Sequence, residues 1–180
     1  MYFKKIIGKK CYLSPNNTDD VQKFTEWVND LEITVNLDLY NSIINVDTER
    51  DLLNKLSKDH HYSIIDNDSN ELIGTCGFIE IDHLNQIAEI GIFIGNKNFL
   101  NKGYGTEALV LLLDYGFKAL NLHNIMLKVY SFNERAIKSY EKIGFKNIGK
   151  RREALKRGIE TYDIIYMDLL YKEFYEKNKL

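Results

Sequence analysis

Apolar residues along the chain change period several times, and each change predicts an element. Cys11-Tyr-Leu-Ser14 reads as a short strand. Val21, Phe24, Trp27 and Val28 recur at helical spacing behind Asp19 and Asp20, two residues suited to a helix start. Residues 30–45 show no clear period. Thr48 and Asp51 resemble a capping box and open a helix through Leu52, Leu53 and Leu56. His61–Asp66, Leu72–Ile81 and Ile87–Ile94 read as three strands joined by the polar turns Asn67–Asn70 and Asp82–Gln86, an antiparallel meander. A helix from Thr106 to about Leu120 follows, with Ala108, Leu111, Leu112, Tyr115 and Ala119 on one face. Ile125–Tyr130 is then a strand parallel to its predecessor, because a helix crosses between them. Asn133 caps a helix carrying Ala136, Ile137, Tyr140 and Ile143. Gly144-Phe145 stops it, with Phe145 folding back onto Tyr140 or its neighbour. Phe145–Gly149 and Thr161–Leu169 form a hairpin, and a short helix begins at Tyr171. The order β-α-α-β-β-β-α-β-α-β-β makes an α/β (α+β) protein with a mixed sheet and helices on its faces.

Composition narrows the function classes. One proline and no Ser/Gly/Pro-rich linker in 180 residues predict a single domain over 1–180. A formal net charge of -2 argues against general nucleic-acid binding. Arg151, Arg152, Lys156 and Arg157 are interspersed with acids and read as solvated surface. Cys11 and Cys76 are far apart and give neither a disulfide framework nor zinc spacing, and His60, His61, His83 and His123 lack ligand spacing, so no metal is expected. No leader or membrane-length apolar run is present, which predicts a cytoplasmic protein without membrane partners.

The chemistry concentrates in Glu89-Ile-Gly-Ile-Phe-Ile-Gly95 and the following Asn101-Lys-Gly-Tyr-Gly-Thr-Glu-Ala108. A strand, a glycine loop and a helix start bind anions, because the opening amides of a helix lack partners and the helix dipole is positive there. A P-loop would need lysine and a hydroxyl after the glycine, where Tyr104 stands. Gly103-Tyr-Gly105-Thr-Glu-Ala108 formally fits a dinucleotide fingerprint. However, eight residues separate it from the strand, and Leu127, Lys128 and Val129 occupy the region of the ribose-binding acid.

The third device is a coenzyme A pyrophosphate loop. Gly103-Tyr-Gly105 followed by Asn133-Glu-Arg-Ala136-Ile-Lys-Ser-Tyr140-Glu-Lys-Ile-Gly144-Phe145 resembles the paired signatures of the GNAT N-acetyltransferase superfamily, Q/R-x-x-G-x-G/A and N-x-x-A-x-x-x-Y-E-K-x-G-F. The resemblance covers nearly the whole chain, with Leu100 at the Gln/Arg position. Lys102–Ala108, Asp114-Tyr-Gly-Phe117 and Asn121-Leu-His123 look most like the ribosomal-protein N-terminal acetyltransferase branch; polyamine acetyltransferases share much of this.

The resemblance implies a mixed, mostly antiparallel six- to seven-stranded sheet flanked by helices on both faces. It also implies transfer of an acetyl group from acetyl-CoA to a primary amine by direct attack. The acceptor would be a protein N-terminal α-amine such as that of a ribosomal protein. The alternatives are a polyamine or other small-amine acetyltransferase, or a non-catalytic acyl-CoA-binding module. Lys102, Gly103, Tyr104, Gly105 and Thr106 would hold the pyrophosphate, with Thr106 otherwise a plain helix cap. Ile92, Phe93 and Ile94 would contact the cofactor, and an amide near Ile92 or Phe93 would stabilise the oxyanion. Asn133 and Ala136 would contact the pantetheine side, and Tyr140 would be the general acid. Trp27, Asn29 and Tyr40 would contact the acceptor, and dimers are common in the family.

The base is read from the residues. Alternation puts Glu89, Gly91 and Phe93 on one strand face, a charge beside a bare glycine. Glu89 is the first choice as base and Glu80 the second. Asp30, Glu32 and Asp38 could attract a cationic amine or be solvated.

Overall fold

The computed structural model describes residues 1–178. Its strands are β1 (Ile6–Ile7), β2 (Cys11–Pro15), β3 (His61–Asp66), β4 (Leu72–Asp82), β5 (Ile87–Ile94), β6 (Asn124–Tyr130), β7 (Lys146–Arg157) and β8 (Glu160–Leu170). The helices are α1 (Val21–Val28), α2 (Leu31–Thr34), α3 (Val46–Leu56), α4 (Tyr104–Lys118), α5 (Glu134–Ile143) and α6 (Tyr171–Asn178). The strands form one mixed sheet in the order β1-β2-β3-β4-β5-β6-β8-β7. Its eight strands exceed the six or seven expected, because β1 is only two residues long and leaves no pattern in the sequence. The chain packs into two compact units, residues 1–78 with 92–112, and residues 79–91 with the chain from 113 onward.

In the first unit β1–β2, β2–β3 and β3–β4 are antiparallel, with Leu13 opposite Ile64 and Ile64 opposite Gly74. Val21, Phe24, Trp27 and Val28 are buried on α1, the stripe that their spacing predicts. Phe24 and Trp27 join Tyr12, Leu53, Ile65 and Leu72 in a core that also takes the half-buried Phe93 of β5. Trp27 meets Phe24 and Phe93 edge-on, with ring centroids 5.5 and 6.2 Å away. Its indole lies against Gly95, where an added Cβ would overlap the ring.

Three helix starts differ from the expected ones. Residues 30–45, left open by the pattern, contain α2, a single turn capped by Asp30. Helix α3 starts at Val46, and Asn45 Oδ1 accepts from Thr48 N at 2.8 Å. Asparagine is at least as good a cap as threonine, so Thr48 lies inside the first turn and the Thr48–Asp51 box is not used. Helix α4 starts at Tyr104, and its first backbone rung runs from Glu107 N to Gly103 O at 3.0 Å. Gly103 therefore opens the helix, and Thr106 is not its cap.

In the second unit β6 runs parallel to β5 and antiparallel to β8. Tyr140 O accepts the N–H groups of both Gly144 and Phe145 at the end of α5, with Gly144 at φ +130° and the Tyr140 and Phe145 rings 6.0 Å apart. This is the predicted glycine stop with its apolar contact. Strand β7 runs eight residues past Gly149. It is an edge strand with Leu155 its buried residue, so it lacks the alternation by which a strand is recognised. Helix α6 closes the unit by burying Phe174 against Phe117, 5.3 Å between centroids.

Gly95→Ala should lower the unfolding free energy by about 1–3 kcal/mol, the usual cost of overpacking. Urea denaturation followed by the fluorescence of Trp27, the chain's one tryptophan, checks this. An unchanged midpoint would show that the indole can move aside.

Candidate active site

The glycine loop lies in the first unit. Asn101 and Gly103 hold positive φ values of +61° and +86°, and the chain turns from them into α4. Tyr104 and Gly105 precede the first helical rung, so their amides belong to the helix opening, where an anion is favoured. A Cβ on Gly105 would sit 3.7 Å from Ile94 and 3.8 Å from Ile92, so these two residues face the start of α4. Phe93 faces α1 instead. The alternation read from the sequence holds here.

Tyr104 is anchored through its side chain. Its hydroxyl donates to Asp66 Oδ1 at 2.7 Å, and that hydrogen bond, followed by burial, pushes the phenol up to about 12. Burial alone would raise the Asp66 carboxyl. The amide and hydroxyl of Ser69, both donating to Oδ2, and the Tyr104 hydroxyl outweigh it and hold Asp66 below the usual carboxylate range. What Tyr104 can offer an anion is therefore its amide.

Glu89, Asn133, Ala136 and Tyr140 lie in the second unit. The paired register of β5 with β6 covers Ile87, Ala88 and Glu89. Glu89 forms an ion pair with Lys128 at 2.9 Å, and its side chain is 17% exposed. Lys128 is two residues beyond Met126, the partner of Glu89, a diagonal pairing that parallel register makes accessible. A Cβ on Gly91 would lie 3.0 Å from Ile79 Cδ1, so that glycine face looks onto an exposed isoleucine. Glu80, next to Ile79, takes the opposite face by alternation and is exposed, which favours Glu89.

Asn133 caps α5, its Oδ1 accepting from Ala136 N at 3.2 Å. Burial pushes the Tyr140 phenol up to about 12, opposed by the Arg135 guanidinium. The phenol is a weaker acid than its ordinary value near 10 suggests, but it stays protonated at any working pH.

The expected acceptor contacts separate. Trp27 is 8% exposed and serves the core described above. Asn29 is a latch: Nδ2 donates to Thr25 O and Ile44 O at 2.8 and 2.7 Å, and Oδ1 accepts from Ile44 N at 3.0 Å. Tyr40 is half-buried in the segment before α3. Asp30 and Glu32 both hold Lys97, each at 2.6 Å. Lys97 holds the Asp30 carboxyl below its ordinary range. Among the described residues no helix is long and apolar enough to cross a membrane.

Residues 10–146 match the model of the acetyltransferase (GNAT) domain. The chain belongs to the GNAT acetyltransferase family. It is thus an acetyl-CoA-dependent acyltransferase, and the positive-φ loop opening α4 suits the cofactor's pyrophosphate. This GNAT enzyme is 33% identical over 179 residues, 97% of each chain, to "Uncharacterized N-acetyltransferase p20" of Bacillus licheniformis. It is 35% identical over 102 residues, 55% of each chain, to "Putative ribosomal N-acetyltransferase YdaF" of Bacillus subtilis. The crystal structure of spermidine N-acetyltransferase from Vibrio cholerae in complex with CoA and spermine matches with a TM-score of 0.83 at 25% identity, covering 93% of this chain and 99% of that one.

Gly103→Ala should weaken CoA binding about tenfold, since a side chain at φ +86° is strained by about 1–2 kcal/mol. Calorimetry measures the affinity, and circular dichroism should show an intact fold. Wild-type affinity in this variant would exclude a cradle that depends on the glycine conformation.

Proposed function

We propose that this GNAT enzyme acetylates a protein N-terminal α-amine. The observation that carries this acceptor is the Lys97 cluster: of Asp30, Glu32 and Asp38, the acids that could draw in a polycation, the first two share one lysine ammonium, which halves the charge they present. The relative named as a ribosomal N-acetyltransferase agrees with that acceptor class. A polyamine is the second reading, favoured by the likeness to the spermidine enzyme.

The thioester supplies the acetyl group, and its carbon–sulfur bond breaks as the carbon–nitrogen bond forms. Glu89 takes the proton that the attacking amine gives up. An α-amine with a pKa of about 8 asks less of that base near neutral pH than a lysine-type amine at about 10.4. The amide of Ile92 or Phe93 stabilises the charge that grows on the carbonyl oxygen, a contribution of about 3 kcal/mol. Tyr140 donates a proton to the departing sulfur. Asn133 orders the first turn of α5 and keeps Nδ2 as a donor for an amide-bearing chain.

Tyr140→Phe should lower kcat by about 100-fold or more with CoA affinity within about twofold, read from turnover and calorimetry. The raised phenol loses its proton only as pH climbs through about 12, so wild-type turnover should show no alkaline decline from Tyr140 below about pH 11. Glu89→Gln should lower kcat by about 100-fold or more with CoA affinity within about twofold; a variant that keeps wild-type turnover excludes Glu89 as the base.

The acceptor is tested by thiol release with N-terminal peptides against spermidine. A preference for peptides of about tenfold or more in kcat/KM supports the first reading, and the reverse preference establishes the second.

A further inference from the structure

The pyrophosphate loop carries a charge supplied from far away in sequence. Lys10, in the turn between β1 and β2, donates from Nζ to Lys102 O at 2.7 Å. The same ammonium lies 5.8 Å from the centroid of the Tyr104 ring. Among the described residues, and apart from Gly103's chain neighbours, Lys10 Nζ is the one heavy atom within 4 Å of the place where Gly103 would carry a Cβ, at 3.4 Å. The side-chain face of Gly103 is thus open space holding one cation.

That cation is held in place. Lys10 N donates to Glu107 Oε1 at 2.7 Å, and Lys10 O accepts from Asn67 N at 2.9 Å. Asn67 Nδ2 also donates to Gly8 O at 2.9 Å. An added Cβ on Gly8 would overlap Glu107 Oε1, so the turn fits against the first turn of α4. A free lysine gives up about 2 kcal/mol of rotamer entropy when fixed. Here the backbone of the turn is already ordered, and one ammonium proton reaches the Lys102 carbonyl. The other two protons remain to serve an oxygen on the open side of the glycine. The loop's own cation, Lys102, has an exposed side chain and turns its carbonyl toward Lys10.

We infer that Lys10 is a cofactor-binding residue whose ammonium contacts the pyrophosphate of coenzyme A beside Gly103. The inference rests on the reading of the glycine loop as the pyrophosphate cradle. It adds a charge that neither glycine-loop motif nor helix start provides.

Calorimetry with CoA, dephospho-CoA and pantetheine tests it in the wild type, Lys10→Gln, Lys10→Arg and Lys102→Ala. Lys10→Gln keeps a polar side chain in the turn but lacks the charge. It should weaken CoA and dephospho-CoA alike by about 10- to 100-fold, the range of a charge-assisted hydrogen bond, and leave pantetheine within about twofold. Lys10→Arg should keep most of the affinity, and Lys102→Ala should lose less than Lys10→Gln. The gap between wild type and Lys10→Gln should narrow as sodium chloride rises, because exposed charges are screened. Wild-type affinity in Lys10→Gln would reduce Lys10 to a clasp on the loop and overturn the inference. A loss that disappears with dephospho-CoA would overturn the pyrophosphate assignment in favour of the ribose phosphate. If Gly103→Ala keeps full CoA affinity while Lys10→Gln loses it, the cradle reading fails and the lysine contact stands alone.

Discussion

A helix cannot satisfy its own first amides, and in this chain that deficit falls at the glycine loop that we read as the pyrophosphate cradle. Helix α4 opens at Gly103, whose positive φ lets the chain enter the helix without a side chain on the ligand side. Its surroundings are arranged to keep that opening fixed. Tyr104 is tied to Asp66 at the end of β3, and Glu107 holds the turn before β2. The helix start at Gly105 lies on Ile92 and Ile94. A cradle made of backbone depends on such anchoring, since no side chain within it can adapt to compensate for a shift.

Strand β5 distributes the chemistry by alternation. One face of its C-terminal half meets α4 through Ile92 and Ile94, while Phe93 on the other joins the aromatic group of α1. Earlier in the strand, Glu89 and Gly91 continue the Phe93 face, with Lys128 beside the carboxylate. A single strand thus carries the proposed proton acceptor, a glycine and the expected oxyanion amide within a few residues.

Local signals gave most of this fold. The buried stripe of α1, the parallel return into β6 and the glycine stop of α5 each follow from spacing within one segment. The Gly103 loop was legible because a positive-φ position demands a residue type visible in the sequence. What stayed hidden depends on distant partners or on weak patterning. Lys10 reaches a loop 92 residues away, and the Glu89–Lys128 pair needs the β5–β6 register. Asn45 is hidden as a cap because the preceding stretch has no period to mark a boundary. Resemblance alone points Trp27 and Asn29 toward the acceptor, whereas packing on Gly95 and a latch to Ile44 account for what they do in the fold.

Strand β7 lies at the open edge of the sheet and is exposed over most of its length. Such an edge is a template on which other chains can add strands, a route to aggregation. Two register shifts against β8 bend this one, at Asn147/Gly149 and at Arg151/Leu155, and Lys150, Arg151, Arg152 and Lys156 stud its surface. A bent, cationic edge offers no straight ladder to an incoming strand. The irregularity of β7 therefore also makes it a poor template for strand addition.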